Sequence, residues 1–244
     1  YSMVTGTSST IRTTQGSIIS GFNHTTTGNY NIIGGSQNQT TSADNNLIVG
    51  SGNDLLNSGT DYNMVGGQNS ELTTSARNII GGRSHQLLNS DQNIIGGNNN
   101  ALPGSVTSQP NGGGDNNLIV GSGNNSLYNG MVNNNIMFGL NNSFNSSNQS
   151  LNNILGGIGS NLSGRASIVI GGSNNVYTDT TGSCSAFGSQ NTLGTGSDGV
   201  RRATAIGYFN RCYKDDTQLI GRNIEANSST TAPHTFRVAI DSPA

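Results

Sequence analysis

Side chains able to do acid–base or nucleophilic chemistry are few in this sequence and far apart. His24, His85 and His234 lie near no repeated cysteine or carboxylate and read as lone surface histidines. Asp54, Asp61, Asp91, Asp115 and Glu71 read as residents of connecting turns. Two carboxylates on neighbouring turns would suffice to cleave a glycan, because a pair flanking the bond is what glycoside hydrolysis needs. Their spacing does not require that role. Cys184 and Cys212 fall in different places of the local pattern and do not read as a bonded pair. The run Gly112-Gly113-Gly114-Asp115 has the form of a calcium turn, but calcium rolls repeat it and here it occurs once. No glycine-rich run opens a helix, the context a phosphate loop needs. The expectation is a protein with no catalytic residues, no cofactor and no metal.

Composition narrows the partners. Among 244 residues, 10 are Lys or Arg and 12 are Asp or Glu, so the net charge is −2. There is no basic stripe of the kind nucleic-acid binding uses, and no apolar run approaches the roughly 18 residues of a membrane span. Neither nucleic acid nor direct membrane insertion is expected. Hydrophobic residues make up only 31 % and charged ones 9 %, while Gly alone counts 36. A chain poor in both classes that still folds must rely on backbone pairing and polar side-chain ladders.

The elements that would position any site are repeats. The best copy is Asn31-Ile32-Ile33-Gly34-Gly35, and related copies end at Gly6, Gly21, Gly50, Gly67, Gly82, Gly97, Gly121, Gly139, Gly157, Gly171, Gly188, Gly207 and Gly221. Most spacings are 14 to 18 residues; the longest is 24, between Gly97 and Gly121. Each copy is a short aliphatic run bounded by Asn and Gly, which reads as a strand ending in a turn. An Asn often follows the anchor glycine by three residues, as at Asn38, Asn53, Asn100, Asn124, Asn142, Asn174, Asn191 and Asn210. It reads as the left-handed residue of that turn. No segment has a helical period.

Alternate residues of a strand face opposite sides, and here both faces are apolar. The first positions are Ile32, Leu47, Met64, Ile79, Ile94, Leu118, Ile136, Ile154 and Ile168. The second are Ile33, Ile48, Val65, Ile80, Ile95, Ile119, Met137, Leu155 and Val169. One set fills the interior. The other, taken as the second, needs a partner outside the chain, and closed self-association supplies it. The preceding residues Asn31, Asn46, Asn63, Asn78, Asn93, Asn117, Asn135 and Asn153 would stack into an amide ladder.

Three late copies carry a resemblance: Ser167-Ile168-Val169-Ile170-Gly171, Cys184-Ser185-Ala186-Phe187-Gly188 and Ala203-Thr204-Ala205-Ile206-Gly207. They look like the Ser-Val-Ala-Ile-Gly repeat of the YadA-like heads of trimeric autotransporter adhesins, a pattern also similar to Asn- and Gly-rich phage and large-virus fibres. Most copies depart from it by placing Gly where the adhesins have a second aliphatic. The resemblance implies an all-β, left-handed parallel β-roll of about 14 short rungs assembling as a parallel homotrimer. It covers residues 1–223, leaving 224–244 as a connector with a strand at Phe236, Val238 and Ile240. It implies a structural, adhesive fibre tip, extracellular on a virion or cell surface, that meets a host glycan or surface receptor. A glycan-degrading spike and an ice- or surface-binding solenoid are the alternatives. Specificity would lie in the irregular turns, with Asn111, Asp115, Tyr128, Phe144 and Tyr177 as binding candidates. Arg201, Arg202, Arg211, Lys214, Asp215 and Asp216 read as a charged cap on the last rungs.

Overall fold

The computed structural model describes residues 1–12, 14–103, 115–127, 132–145, 150–178, 182–195, 199–226 and 235–239. Among these there is no helix. The chain makes about 13 turns of parallel β-solenoid, divided into two compact units, Tyr1–Gly123 and Asn124–Ala244. Phe236–Val238 pairs in parallel with Gln218–Arg222 and is one more rung of the second unit's sheet.

Each turn contributes a long strand of five residues and a short one of two or three, except the last, where Phe236–Val238 has three residues and no short strand follows among the described residues. In the first unit the long strands run from Met3–Thr7 through Ile32–Ser36 and Ile79–Arg83 to Leu118–Ser122, and the short ones from Thr10–Arg12 to Ala101–Pro103. In the second unit they run from Ile136–Leu140 to Phe236–Val238 and from Asn125–Leu127 to Glu225–Ala226. Stacking is parallel and keeps motif over motif: Ile79 lies against Met64 below and Ile94 above, and Gly82 against Gly67 and Gly97.

The two glycines of one motif do different jobs. Gly82 has φ +121, and a Cβ there would overlap the carbonyl oxygen of Gly97. Only glycine allows that conformation and that approach. Gly81 has an ordinary φ and open space beside it.

The corner after the long strand holds a left-handed residue two places beyond the anchor, as at Gln37, Asn69, Ser84 and Asn141. The Asn three places beyond is not that residue, contrary to expectation. Asn38, Asn53, Asn100, Asn124, Asn142, Asn174, Asn191 and Asn210 are turned inward and buried.

The inward apolar residues form two columns. One comes from the long strands and includes Ile33, Ile80 and Leu155. The other comes from the short strands, with Leu55, Leu72, Leu87 and Leu102 in the first unit and Phe144, Leu162 and Val176 in the second. Between them sit the buried amides. The interior is therefore thin, and each rung is held by its neighbours above and below.

Candidate functional site

Which face points outward is the reverse of the expectation. Ile33, Ile48, Val65, Ile80, Ile95, Ile119, Met137, Leu155 and Val169, assigned to a subunit interface, are the solenoid's own core: Ile80 is 2 % exposed. Their predecessors face out: Ile79 is 50 % exposed, and Ile18, Ile32, Met64, Ile94, Leu118 and Ile136 are likewise uncovered. The third strand position shares that face. It carries Val49 and Val120 in the first unit, and Phe138, Ile170 and Ile206 in the second, all exposed. An uncharged, mostly aliphatic stripe thus runs along the long-strand face of the first unit; in the second it continues through Ile136, Phe138 and Ile170, while the first position becomes Ser185, Thr204 and Gln218 in later rungs.

Behind that face stand two columns of buried polar side chains. The first is the ladder Asn31, Asn46, Asn63, Asn78, Asn93 and Asn117, each at most 3 % exposed. The Oδ1 of Asn63 accepts both the backbone N–H of Asn78 at 2.9 Å and its Nδ2–H at 3.0 Å. Asn78 Nδ2 also donates to the Ser90 carbonyl at 3.0 Å. In the second unit the Asn135 Oδ1 takes the Asn153 N–H at 2.8 Å, and the Asn153 Oδ1 takes that of Ser167 at 2.8 Å. Every amide oxygen and hydrogen named here is used, as burial of a polar group demands.

The second column was missed as a ladder, and its logic is chemical. The Asn38 Nδ2 donates to the carbonyl of Gly50, the anchor glycine one rung on, at 3.1 Å. Asn191 does the same to Gly207 at 3.1 Å, and Asn210 to Gly221 at 3.0 Å. The Asn at anchor plus three therefore satisfies the carbonyl that the left-handed glycine turns inward. Asn38-Gln39-Thr40 and Asn124-Asn125-Ser126 have the Asn-x-Ser/Thr form of a glycosylation acceptor, but the Asn38 and Asn124 side chains lie in this column and are buried.

His24 and His85 belong to this column too. They are not surface residues: their exposures are 1 % and 0 %. The His24 Nε2 lies 3.1 Å from the Ser20 carbonyl and its Nδ1 takes the Asn38 N–H at 3.3 Å. The His85 Nε2 lies 3.1 Å from the Gly81 carbonyl. Burial pushes the His85 imidazole below its ordinary protonation range, against the pull of surrounding backbone bonds. The signal was available: both follow an anchor glycine by three residues, where the other rungs have Asn or Ser up to Asn210 and Ile224 ends the series.

The carboxylates divide into two groups. Asp54 and Glu71 lie on short strands rather than in turns, side by side in register. Burial, and then the Glu71 charge, raise the Asp54 carboxyl above its usual range. The others cap backbone amides one rung below. Asp61 Oδ1 takes the Asp44 N–H, Asp91 Oδ1 that of Ala76 and Asp115 Oδ1 that of Asp91, each at 2.7 Å. Burial raises the Asp115 carboxyl despite the bond from Asp91. Among the described residues no three His, Cys, Asp or Glu side chains gather as a metal-binding group.

The remaining candidates scatter. Phe144 is 1 % exposed and fills the core, so it presents no ring to a ligand. Tyr177 is half-buried at the end of a short strand. Asn111 and Tyr128 lie outside the described residues, as do His234 and Ile240. Cys184 and Cys212 are free and buried, and burial pushes the Cys184 thiol up to about 12. Such a thiol is inert at neutral pH. In the charged cluster the Arg202 guanidinium pairs with the Asp216 carboxylate through Nε and, at 2.8 Å, through Nη2. The Asp215 Oδ1 caps the Arg201 N–H at 2.8 Å. No family model matches the chain, nor does the sequence of any curated protein.

Proposed function

We propose that this chain is the head of a trimeric, adhesive fibre, with left-handed coiling and three parallel copies. The observation that carries the reading is the outward aliphatic stripe. Monomeric soluble proteins rarely leave a large continuous apolar patch uncovered. This one repeats at the rung spacing, about 4.8 Å in a parallel ladder. The surface that matches such a period is the same stripe on another copy laid parallel, and closed rotation leaves none of it exposed. Scaffold chemistry everywhere else, with buried thiols and amides all engaged in bonding, supports a display role rather than catalysis. Its place would be extracellular, on a virion or cell surface, with a host glycan or surface receptor as the target.

Light scattering tests the assembly. The expected mass is three times 25.1 kDa, and Ile79→Asp combined with Ile94→Asp should reduce it to the single-chain mass with the fold intact. A wild-type monomer overturns the reading. The stacked Asp54 and Glu71 pair is the one observation favouring a glycan-cleaving spike instead, and a polysaccharide-cleavage assay on Glu71→Gln beside wild type decides that point.

A further inference from the structure

One corner of the second unit breaks the repeat. The left-handed position after the long strand holds Asn141, Gly159, Ser173, Gln190 and Asn223 in other rungs, but Phe209, with φ 59, in one. A bulky side chain there costs about 1–2 kcal/mol relative to a residue that favours the conformation. Strain of that kind persists where something else requires the residue. Phe209 is also 39 % exposed and Tyr208 beside it 41 %, their ring centroids 6.0 Å apart.

Each ring carries a guanidinium. The Arg211 Cζ lies 4.8 Å from the Phe209 centroid. The Arg222 Cζ, from the next rung and in register with Tyr208, lies 5.4 Å from that ring's centroid. The ion pair of this region runs through Arg202 and Asp216, not through these two. A shallow cavity of about 190 Å³ opens beside them, lined by Phe209, Arg211, Asn223, Ile224 and Glu225.

We propose that this corner binds a saccharide bearing a carboxylate or sulfate group. A guanidinium held over a ring keeps its N–H edge free for a bidentate bond to an oxyanion. The part of each ring that its guanidinium leaves exposed offers an apolar surface for the C–H face of a sugar. Asn223 and Glu225 on the cavity rim supply a donor and an acceptor for hydroxyls, and one carboxylate against two guanidiniums leaves the corner cationic. The inference rests on the adhesive reading for its purpose, not for its chemistry. Light scattering decides the trimer; saccharide titration decides this.

The test uses the full chain and three tetrasaccharides of equal length: sulfated (heparin-derived), carboxylated (galacturonate) and neutral (cellotetraose), titrated by calorimetry. Saturable binding of an acidic probe is expected, and which one binds tighter identifies the oxyanion. Arg211→Gln with Arg222→Gln should weaken it at least tenfold, the usual size of losing a charged hydrogen bond. Phe209→Asn restores the residue type of neighbouring corners, so it should weaken binding while leaving Tm unchanged or raised by about 2–4 °C. The proposal is overturned by no saturable binding, by equal affinity for cellotetraose, or by wild-type affinity in the variants. A fall in Tm for Phe209→Asn also overturns it, because the ring is then structural.

Discussion

The two units build the same rung but put their amides in opposite corners. In Tyr1–Gly123 the corner before the long strand is amide from Asn31 to Asn117 without a gap. The corner after it mixes Asn38, Asn53 and Asn100 with Ser70, His24 and His85. In Asn124–Ala244 the first corner decays after Asn153 to Ser167, Cys184, Ala203 and Thr217, while the second holds Asn174, Asn191 and Asn210 in series. Rung by rung, at least one Asn is kept from Asn31 to Asn210. One amide column is enough to tie a rung to its neighbours; the other corner is then open to substitution, provided the inward group stays small or finds a bond.

The largest expected effect comes from the feature both units share. Gly82→Ala should destabilise the first unit by ~4 kcal/mol, combining overlap with a backbone carbonyl and a disfavoured φ. Gly81→Val, one residue away, should leave stability within about 0.5 kcal/mol, because Val49 and Val120 already occupy the same outward position. Urea denaturation of the two variants checks the contrast. If both glycines prove equally sensitive, the left-handed column is not what holds the register.

Next come the amides. Asn78→Ala removes the buried acceptor of the Asn93 backbone and side-chain N–H groups and the donor to the Ser90 carbonyl and should cost ~3 kcal/mol. Asn191→Ala should cost the same in the second unit, where its rung's other corner is Cys184. Cys184→Ala should stay within about 1 kcal/mol. Hydrogen exchange resolved by unit separates the three.

His85 gives the first unit a response to acid. The folded-state value of His85 is depressed below 6.5, so the unfolded chain takes the proton first. Stability is complete above about pH 6.5 and is lost progressively as pH falls from there toward the depressed folded value. Exchange protection in the first unit should therefore decline between pH 7 and 5, and His85→Asn should remove that part of the decline. Equal acid sensitivity of the variant and wild type would show that the loss arises elsewhere. The smallest effect belongs to Ala166, left-handed at φ 50 where Asn134 and Asn152 precede the ladder in earlier rungs. Ala166→Asn should add up to about 1 kcal/mol, read as a small rise in Tm.

The strands, their parallel stacking and the first amide ladder were legible because a fixed register repeats the same chemistry many times. The face assignment was not, since both alternating positions are aliphatic. The deciding signal lay one residue further on. The third position shares a face with the first and accepts Gly34, Val49, Phe138 and Ile170 alike. A thin interior does not tolerate that range of volumes, but solvent or a partner surface does. His24 and His85 were misread for want of counting from the anchor glycine, and Phe144 for the same reason, since it sits five beyond Gly139 where Leu55, Leu72, Leu87, Leu102, Leu162 and Leu193 stand in other rungs. The Phe209 corner was invisible because strain and ring geometry are not written in residue spacing.

Nearly identical rungs raise a difficulty of addressing. An Asn that bonds the Asn above would bond the one after it about as well, so a strand threading one rung out of place loses little locally. What tells rungs apart is the unequal length of chain between anchors, 14 residues from Gly21 to Gly35 and 24 from Gly97 to Gly121. A slipped thread would have to close each gap with a segment cut for another. The irregular connectors thus act as index marks along an otherwise uniform scale, and trimming them to a common length should yield a chain that pairs in several frames at once.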